Sequence, residues 1–80
     1  MTRSEILDLM NMVMKKRGRD PLSDENQNTR EAGFRSLDFS EVALRIEARV
    51  GHELSFEAAS MRQIETVKDV LDFFEAVIET

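Results

Sequence analysis

Within the stretch Gly33-Phe34-Arg35-Ser36-Leu37-Asp38, the residue able to do chemistry is Ser36, a hydroxyl placed where an amphipathic helix over residues 36–50 is expected to begin. A serine at a helix start has two uses. Its oxygen can cap the unpaired backbone N–H groups of the first turn. Alternatively it can present a hydroxyl that another protein reaches and loads with a phosphodiester, an anion that the same N–H groups and the positive end of the helix dipole stabilise. Spacing alone does not separate the two.

Other chemistry is thinly represented. The chain has no cysteine, a single histidine (His52, beside Gly51), no glycine-rich phosphate loop and no paired metal-ligand motif, so neither catalytic residues nor a metal site is expected. Carboxylates are numerous, but they fall on the polar faces of helical patterns, where they read as solvated surface charge.

The elements that must position Ser36 follow from periodicity. A first helix is expected from about Ser4, as N-cap, to Arg17, with Ile6, Met10, Val13 and Met14, and Leu7 or Leu9, on its apolar stripe. Lys15, Lys16 and Arg17 followed by Gly18 are the cations and the glycine with which a helix ends. A long polar connection then runs from Gly18 to Arg35, anchored by Leu22 and Phe34, with a helical turn at Thr29-Arg30-Glu31-Ala32 before Gly33. The second main helix, Ser36 to Val50, turns Phe39, Val42, Ala43, Ile46 and Val50 inward and ends at Gly51. Leu37 and Leu44 lie roughly opposite, beside Ser40, Glu41 and Ala48, and read as a docking strip; Glu41 and Arg45 form an i,i+4 pair. A short helix is expected over Glu57–Arg62, with Leu54, Phe56, Met61 and Ile64 filling one side of the core. Thr66 opens the last helix, with Asp69 completing a capping box; Val67, Val70, Leu71, Phe74 and Ile78 form its apolar stripe, and Lys68, Asp69, Asp72, Glu75 and Glu79 face water. The fold expected is all-α, three main helices plus one short helix, with a long loop between the first and second main helices.

Eighty residues suffice for one domain, 1–80. The absence of cysteine and of a long apolar N-terminal run suggests a mature, cytoplasmic chain that neither spans a membrane nor is exported. The net charge of −5 disfavours nucleic acid and anionic membrane as partners. It is unevenly spread: residues 1–20 hold five basic and three acidic side chains, residues 21–80 six basic and thirteen acidic. Partners with basic docking surfaces are therefore expected to meet the later part.

Gly33-Phe34-x-Ser36-Leu37-Asp38, preceded by a long loop and followed by an amphipathic helix ending at Gly51, resembles the modification site of acyl carrier proteins. The similarity extends through Glu53-Leu54-Ser55-Phe56 and Ile64-Glu65-Thr66-Val67-Lys68-Asp69-Val70, and so covers nearly the whole chain. The resemblance implies an acyl-carrier-like bundle acting as a monomeric carrier and not an enzyme. Ser36 would accept 4′-phosphopantetheine from coenzyme A through a phosphopantetheinyl transferase, and the terminal thiol would hold an acyl thioester for acyl-loading, condensing or acyl-transfer enzymes. Leu37, Asp38, Glu41, Leu44 and Glu47 match the family's docking positions; Phe39, Ile46, Leu54, Ala59 and Met61 match regions lining its acyl cavity. Two departures stand out. Arg35 occupies the place where the family usually has aspartate, and Arg45 and Arg49 interrupt a helix that is often strongly acidic. Arg35 is therefore expected to alter partner recognition and to mark a specialised biosynthetic pathway, and Phe39 to bias the cavity toward short or polar cargo. A peptidyl or aminoacyl carrier of the same fold, or an unmodified interaction module with Ser36 as a simple cap, are the alternatives.

Overall fold

Helix α1, Arg3–Lys16, opens on a capping box two residues earlier than expected: Thr2, not Ser4, is the N-cap. The Glu5 N–H donates to Thr2 Oγ1 at 3.2 Å and the Thr2 N–H donates to the Glu5 carboxylate at 2.8 Å. The spacing Thr2-x-x-Glu5 satisfies two donors reciprocally, whereas Ser4 has no acid three residues on. In this computed structural model, which describes residues 1–79 with the Ala58 side chain excepted, four further helices follow: α2 Thr29–Ala32, α3 Ser36–Val50, α4 Ala58–Met61 and α5 Val67–Ile78. The fold is all-α as expected, with the turn before Gly33 formed as a second short helix.

Three stripes make the core. Ile6, Leu9, Met10, Val13 and Met14 of α1 face Phe39, Val42, Ala43 and Ile46 of α3 and Val67, Val70, Leu71 and Phe74 of α5, and α1 packs against both helices. Leu9 completes the α1 stripe, while Leu7 packs at its edge. Burying such side chains contributes about 1.5–3 kcal/mol each, which is how short helices with modest intrinsic stability are held.

The long connection is anchored at several points. Leu22 and Phe34 are buried, and Asn11 of α1 clasps Leu22, accepting its N–H at 2.7 Å and donating to its carbonyl at 3.2 Å. Residues 25–29 then lie along the start of α5. Thr29 N–H donates to Glu65 C=O (3.0 Å), Val67 N–H to Gln27 C=O (3.0 Å) and Lys68 N–H to Glu25 C=O (2.8 Å), around an isolated antiparallel bridge between Asn28 and Thr66. Arg3 joins the same region from α1, pairing with Glu25 at 2.7 Å, Asp72 at 2.8 Å, and Glu75. Asp72 and Glu75, expected to face only water, are thus drawn into an ion-pair network. Helix α5 itself starts on the expected box, with Asp69 N–H donating to Thr66 Oγ1 at 3.2 Å and Thr66 N–H to the Asp69 carboxylate at 3.0 Å.

Candidate functional site: the start of helix α3

The chain reaches Ser36 through a turn that fixes its direction. Asn28 caps α2 by accepting the Glu31 N–H at 3.0 Å, and Gly33 ends α2 in the left-handed region at φ 90°. That conformation favours glycine, and space reinforces the choice: a Cβ there would lie 3.1 Å from Arg19 Cδ. Arg19 crosses at this point and donates to the Gly33 carbonyl. Phe34 then buries its ring and donates its N–H to Thr29 C=O at 2.8 Å. Arg35 is the extended N-cap residue, and Ser36 is the first residue of α3.

Asp38, expected on the docking strip, is instead 1% exposed. Its Oδ2 accepts the Arg35 N–H at 2.8 Å and an Arg19 Nη1–H at 3.0 Å, and its Oδ1 lies 2.5 Å from Arg17 Nε, an ion pair lacking hydrogen-bond geometry. A buried carboxylate is tolerated when paired and hydrogen-bonded, and at the third helical position it also meets the positive end of the dipole. Asp38 therefore supplies the half of a capping box that satisfies the Arg35 N–H, and it does not lie on the surface. The division of labour bears on Ser36, which is exposed and whose hydroxyl makes no hydrogen bond among the described residues. It is not the N-cap.

Of the remaining docking positions, Leu37 and Leu44 are 67% and 65% exposed, as the helical phase predicts, and Arg35 is exposed beside them. Glu41 is half-buried within a cluster of three cations, with Arg45 at 3.1 Å, Lys16 at 3.2 Å and Arg17 at 3.0 Å. The Arg45 and Lys16 contacts hold its carboxyl below the usual carboxylate range. Glu47 accepts the Leu54 N–H at 2.8 Å, joining α3 to the segment that follows it. The negative charge expected to draw a basic partner is thus matched, at Asp38 and Glu41, by the chain's own arginines and lysine. Contacts across more than 20 residues, from Lys16 and Arg17 to Glu41, have no signature in local spacing.

Ser36 opens onto a cleft of about 970 Å³ between the α2–α3 turn and the α4–α5 connection, also lined by Phe34, Leu37, Phe39, Met61 and Ile64. Of the expected cavity residues only Phe39 and Met61 line it. Ile46 and Leu54 belong to the packed core, and Ala59 is exposed. The interior beside α3 is filled by phenylalanines: the Phe39 ring stacks on Phe74 with centroids 4.7 Å apart and meets Phe73 at 5.3 Å and Phe56 at 6.0 Å. Four aromatic side chains occupy this space, so the cavity is a surface cleft bounded by a packed aromatic wall. The cleft carries a feature that the spacing did not reveal: Arg30 and Arg62 stand in it with Arg35, brought from three separate segments. No helix is long and apolar enough to cross a membrane among the described residues, and no group of three or more His, Asp or Glu side chains there is arranged to hold a metal ion.

No family model matches the sequence, and no curated protein matches it. Among solved structures, the crystal structure at 2.00 Å resolution of an acyl carrier protein from Thermotoga maritima is similar at a TM-score of 0.71 and 25% sequence identity, over 96% of this chain and 91% of that one. The chain has an acyl-carrier-like fold.

Proposed function

We propose that the protein is an acyl carrier whose Ser36 bears 4′-phosphopantetheine. The observation that supports this most is the freedom of the serine hydroxyl within an acyl-carrier-like fold: Asp38 takes the Arg35 N–H at the helix start, while Ser36, the first residue of α3, is exposed and its hydroxyl makes no hydrogen bond among the described residues. In the attachment step, supported by a transferase and its magnesium, Ser36 Oγ forms a bond to the phosphorus of coenzyme A that carries the pantetheine arm. The bond from that phosphorus to the nucleotide half breaks, the nucleotide phosphate leaves, and the serine proton passes to a base of the transferase. The residues present suit the product. A phosphodiester at Ser36 meets the open N–H groups of the first turn of α3 and the guanidinium of Arg35, both favourable to an anion. The arm supplies a thiol that can hold an acyl group as a thioester.

Docking is assigned to the exposed face formed by Arg35, Leu37 and Leu44, with Glu41 and Glu47 at its edge. Partners on this reading are the transferase and acyl-loading, condensing or acyl-transfer enzymes. Arg35 and the cation-matched Glu41 distinguish this face from a strongly acidic one, which supports a carrier dedicated to a specialised pathway.

The test is intact-protein mass after incubation with coenzyme A, magnesium and a broad-specificity phosphopantetheinyl transferase, beside a Ser36→Ala control. One added phosphopantetheinyl group on the parent chain and none on the control is the expected result. No addition to folded protein, with transferases of the source organism also tried, would overturn the reading in favour of an unmodified interaction module.

A further inference from the structure

The cleft beside Ser36 has a charge balance that its neighbours do not neutralise. Arg30 comes from α2, Arg35 from the residue before α3, and Arg62 from the end of α4, yet all three line the same cleft. None of the three guanidinium groups makes an ion pair or a side-chain hydrogen bond among the described residues, in contrast to Arg3, Arg17, Arg19, Arg45 and Arg49, each of which does. Among the described residues Glu65 is the one carboxylate lining the cleft, against three arginines, so these walls carry a net positive charge. Of the other polar residues of the lining, the Asn28 amide oxygen accepts the Glu31 N–H as the cap of α2, and the Thr29 hydroxyl donates to Glu65 C=O at 3.4 Å. Besides the Ser36 hydroxyl, the groups free among the described residues to meet a ligand include three guanidiniums beside an apolar strip of Leu37, Met61 and Ile64.

A second observation concerns size. An acyl chain that entered the bundle beside α3 would have to displace Phe39, which is 3% exposed and stacked on the fully buried Phe74. Forcing extra methylenes into a packed core drives side chains off their rotamers and is destabilising. The cleft outside this wall is open and cationic, so it favours cargo that is short and ends in an anion.

We propose that the cleft binds the free carboxylate of a short dicarboxylic acyl group carried on Ser36, with Arg30, Arg35 and Arg62 as its electrostatic clamp and Met61 and Ile64 as the apolar floor. The inference rests on the carrier reading of Ser36 and adds the chemical class of the cargo. Guanidinium groups are suited to the task because their planar donors match a carboxylate and remain charged at any working pH. A neutral acyl group of the same length gains nothing from them and leaves the arm in solvent.

The experiment compares two loaded forms of the ¹⁵N-labelled protein, prepared with a permissive transferase from succinyl-coenzyme A and from butyryl-coenzyme A. The two acyl groups have equal carbon number and differ at the far end, carboxylate against methyl. Mass spectrometry confirms loading, and NMR reads the Nε–Hε signals of the three arginines and the backbone amides of Met61 and Ile64. The succinyl form is expected to shift these signals at least twofold more than the butyryl form, with the excess reduced at high salt. The Arg30→Gln/Arg62→Gln double variant, altered at two exposed side chains and checked for folding by its unchanged amide spectrum elsewhere, is expected to lose that excess at Met61 and Ile64. Equal shifts from the two acyl groups, or an excess that survives in the double variant, would overturn the clamp while leaving the carrier intact. Failure of either thioester to add mass at Ser36 would overturn both readings.

Discussion

Asp38 accepts the Arg35 N–H at 2.8 Å, and the two residues enclosed by that contact are Ser36 and Leu37. The serine is therefore held between two fixed points of backbone while its own side chain is left out of the hydrogen bonding. Arg17 and Arg19, delivered by the end of α1 and the residues just after it, keep the Asp38 carboxylate in place. The geometry of the site depends on the first helix as much as on the third.

Replacing Asp38 by Ala is accordingly expected to destabilise the fold by roughly 2–3 kcal/mol, combining loss of a cap with loss of charge-assisted hydrogen bonds. Asp38→Asn, which can still accept the Arg35 N–H, should lose less. Urea midpoints at constant slope give both values. A change below about 0.5 kcal/mol for the alanine variant, the size of an ordinary surface substitution, would show that the arginines do not depend on this carboxylate.

The two exposed leucines make a different prediction. Leu37→Ala and Leu44→Ala should leave the unfolding midpoint nearly unchanged, since neither side chain is buried in the core. Together they should lower kcat/KM for phosphopantetheinylation by about tenfold, the equivalent of about 1.4 kcal/mol of lost docking. Unaltered transferase kinetics would remove the strip from the docking surface.

The aromatic wall can be tested by truncation. Phe39→Ala removes the ring in contact with Phe56, Phe73 and Phe74 and is expected to cost about 3–5 kcal/mol. Phe56→Ala, at the partly exposed rim of the same cluster, should cost less, and thermal unfolding of the two variants would establish the order.

Acid should weaken the fold, and the sign follows from the direction of the shifts. Asp69 is lowered by N–H bonds from Glu65 and Thr66, Glu5 by N–H donation from Thr2, Glu25 by Arg3, and Asp72 by Lys68 and then Arg3. A carboxyl lowered in the folded state is protonated first in the unfolded chain. Its stabilisation is complete above the unfolded value, about 4, and is lost as pH falls through the lower folded value. The urea midpoint should be level near pH 6 and decline below roughly pH 4.5, and Asp69→Asn should flatten part of that decline. A midpoint that rose on acidification would contradict the assigned contacts.

Helix order, the three apolar stripes and the outward phase of Leu37 and Leu44 were legible in the sequence because each is a local pattern with a period near 3.6 residues. The role of Asp38 was not, because its burial depends on Arg17 and Arg19 reaching back from a separate segment. The same holds for the meeting of Arg30, Arg35 and Arg62, which no spacing rule connects. Ser4 was a plausible cap by type, and only the reciprocal bonds of Thr2 and Glu5 identify the true helix start. The expected cavity residues were distributed between core, surface and cleft because contact with a ligand space is decided by tertiary packing, not by helical phase.

The backbone pairing between the long loop and α5 has a consequence for how the site can be watched. The first N–H groups of a helix have no partner within it, yet Val67 and Lys68 donate theirs to Gln27 and Glu25 of the loop that leads to Ser36. Hydrogen exchange at these two amides therefore reports opening of that loop and not fraying of α5 alone. A label on the last helix becomes a clock for the segment that delivers the serine.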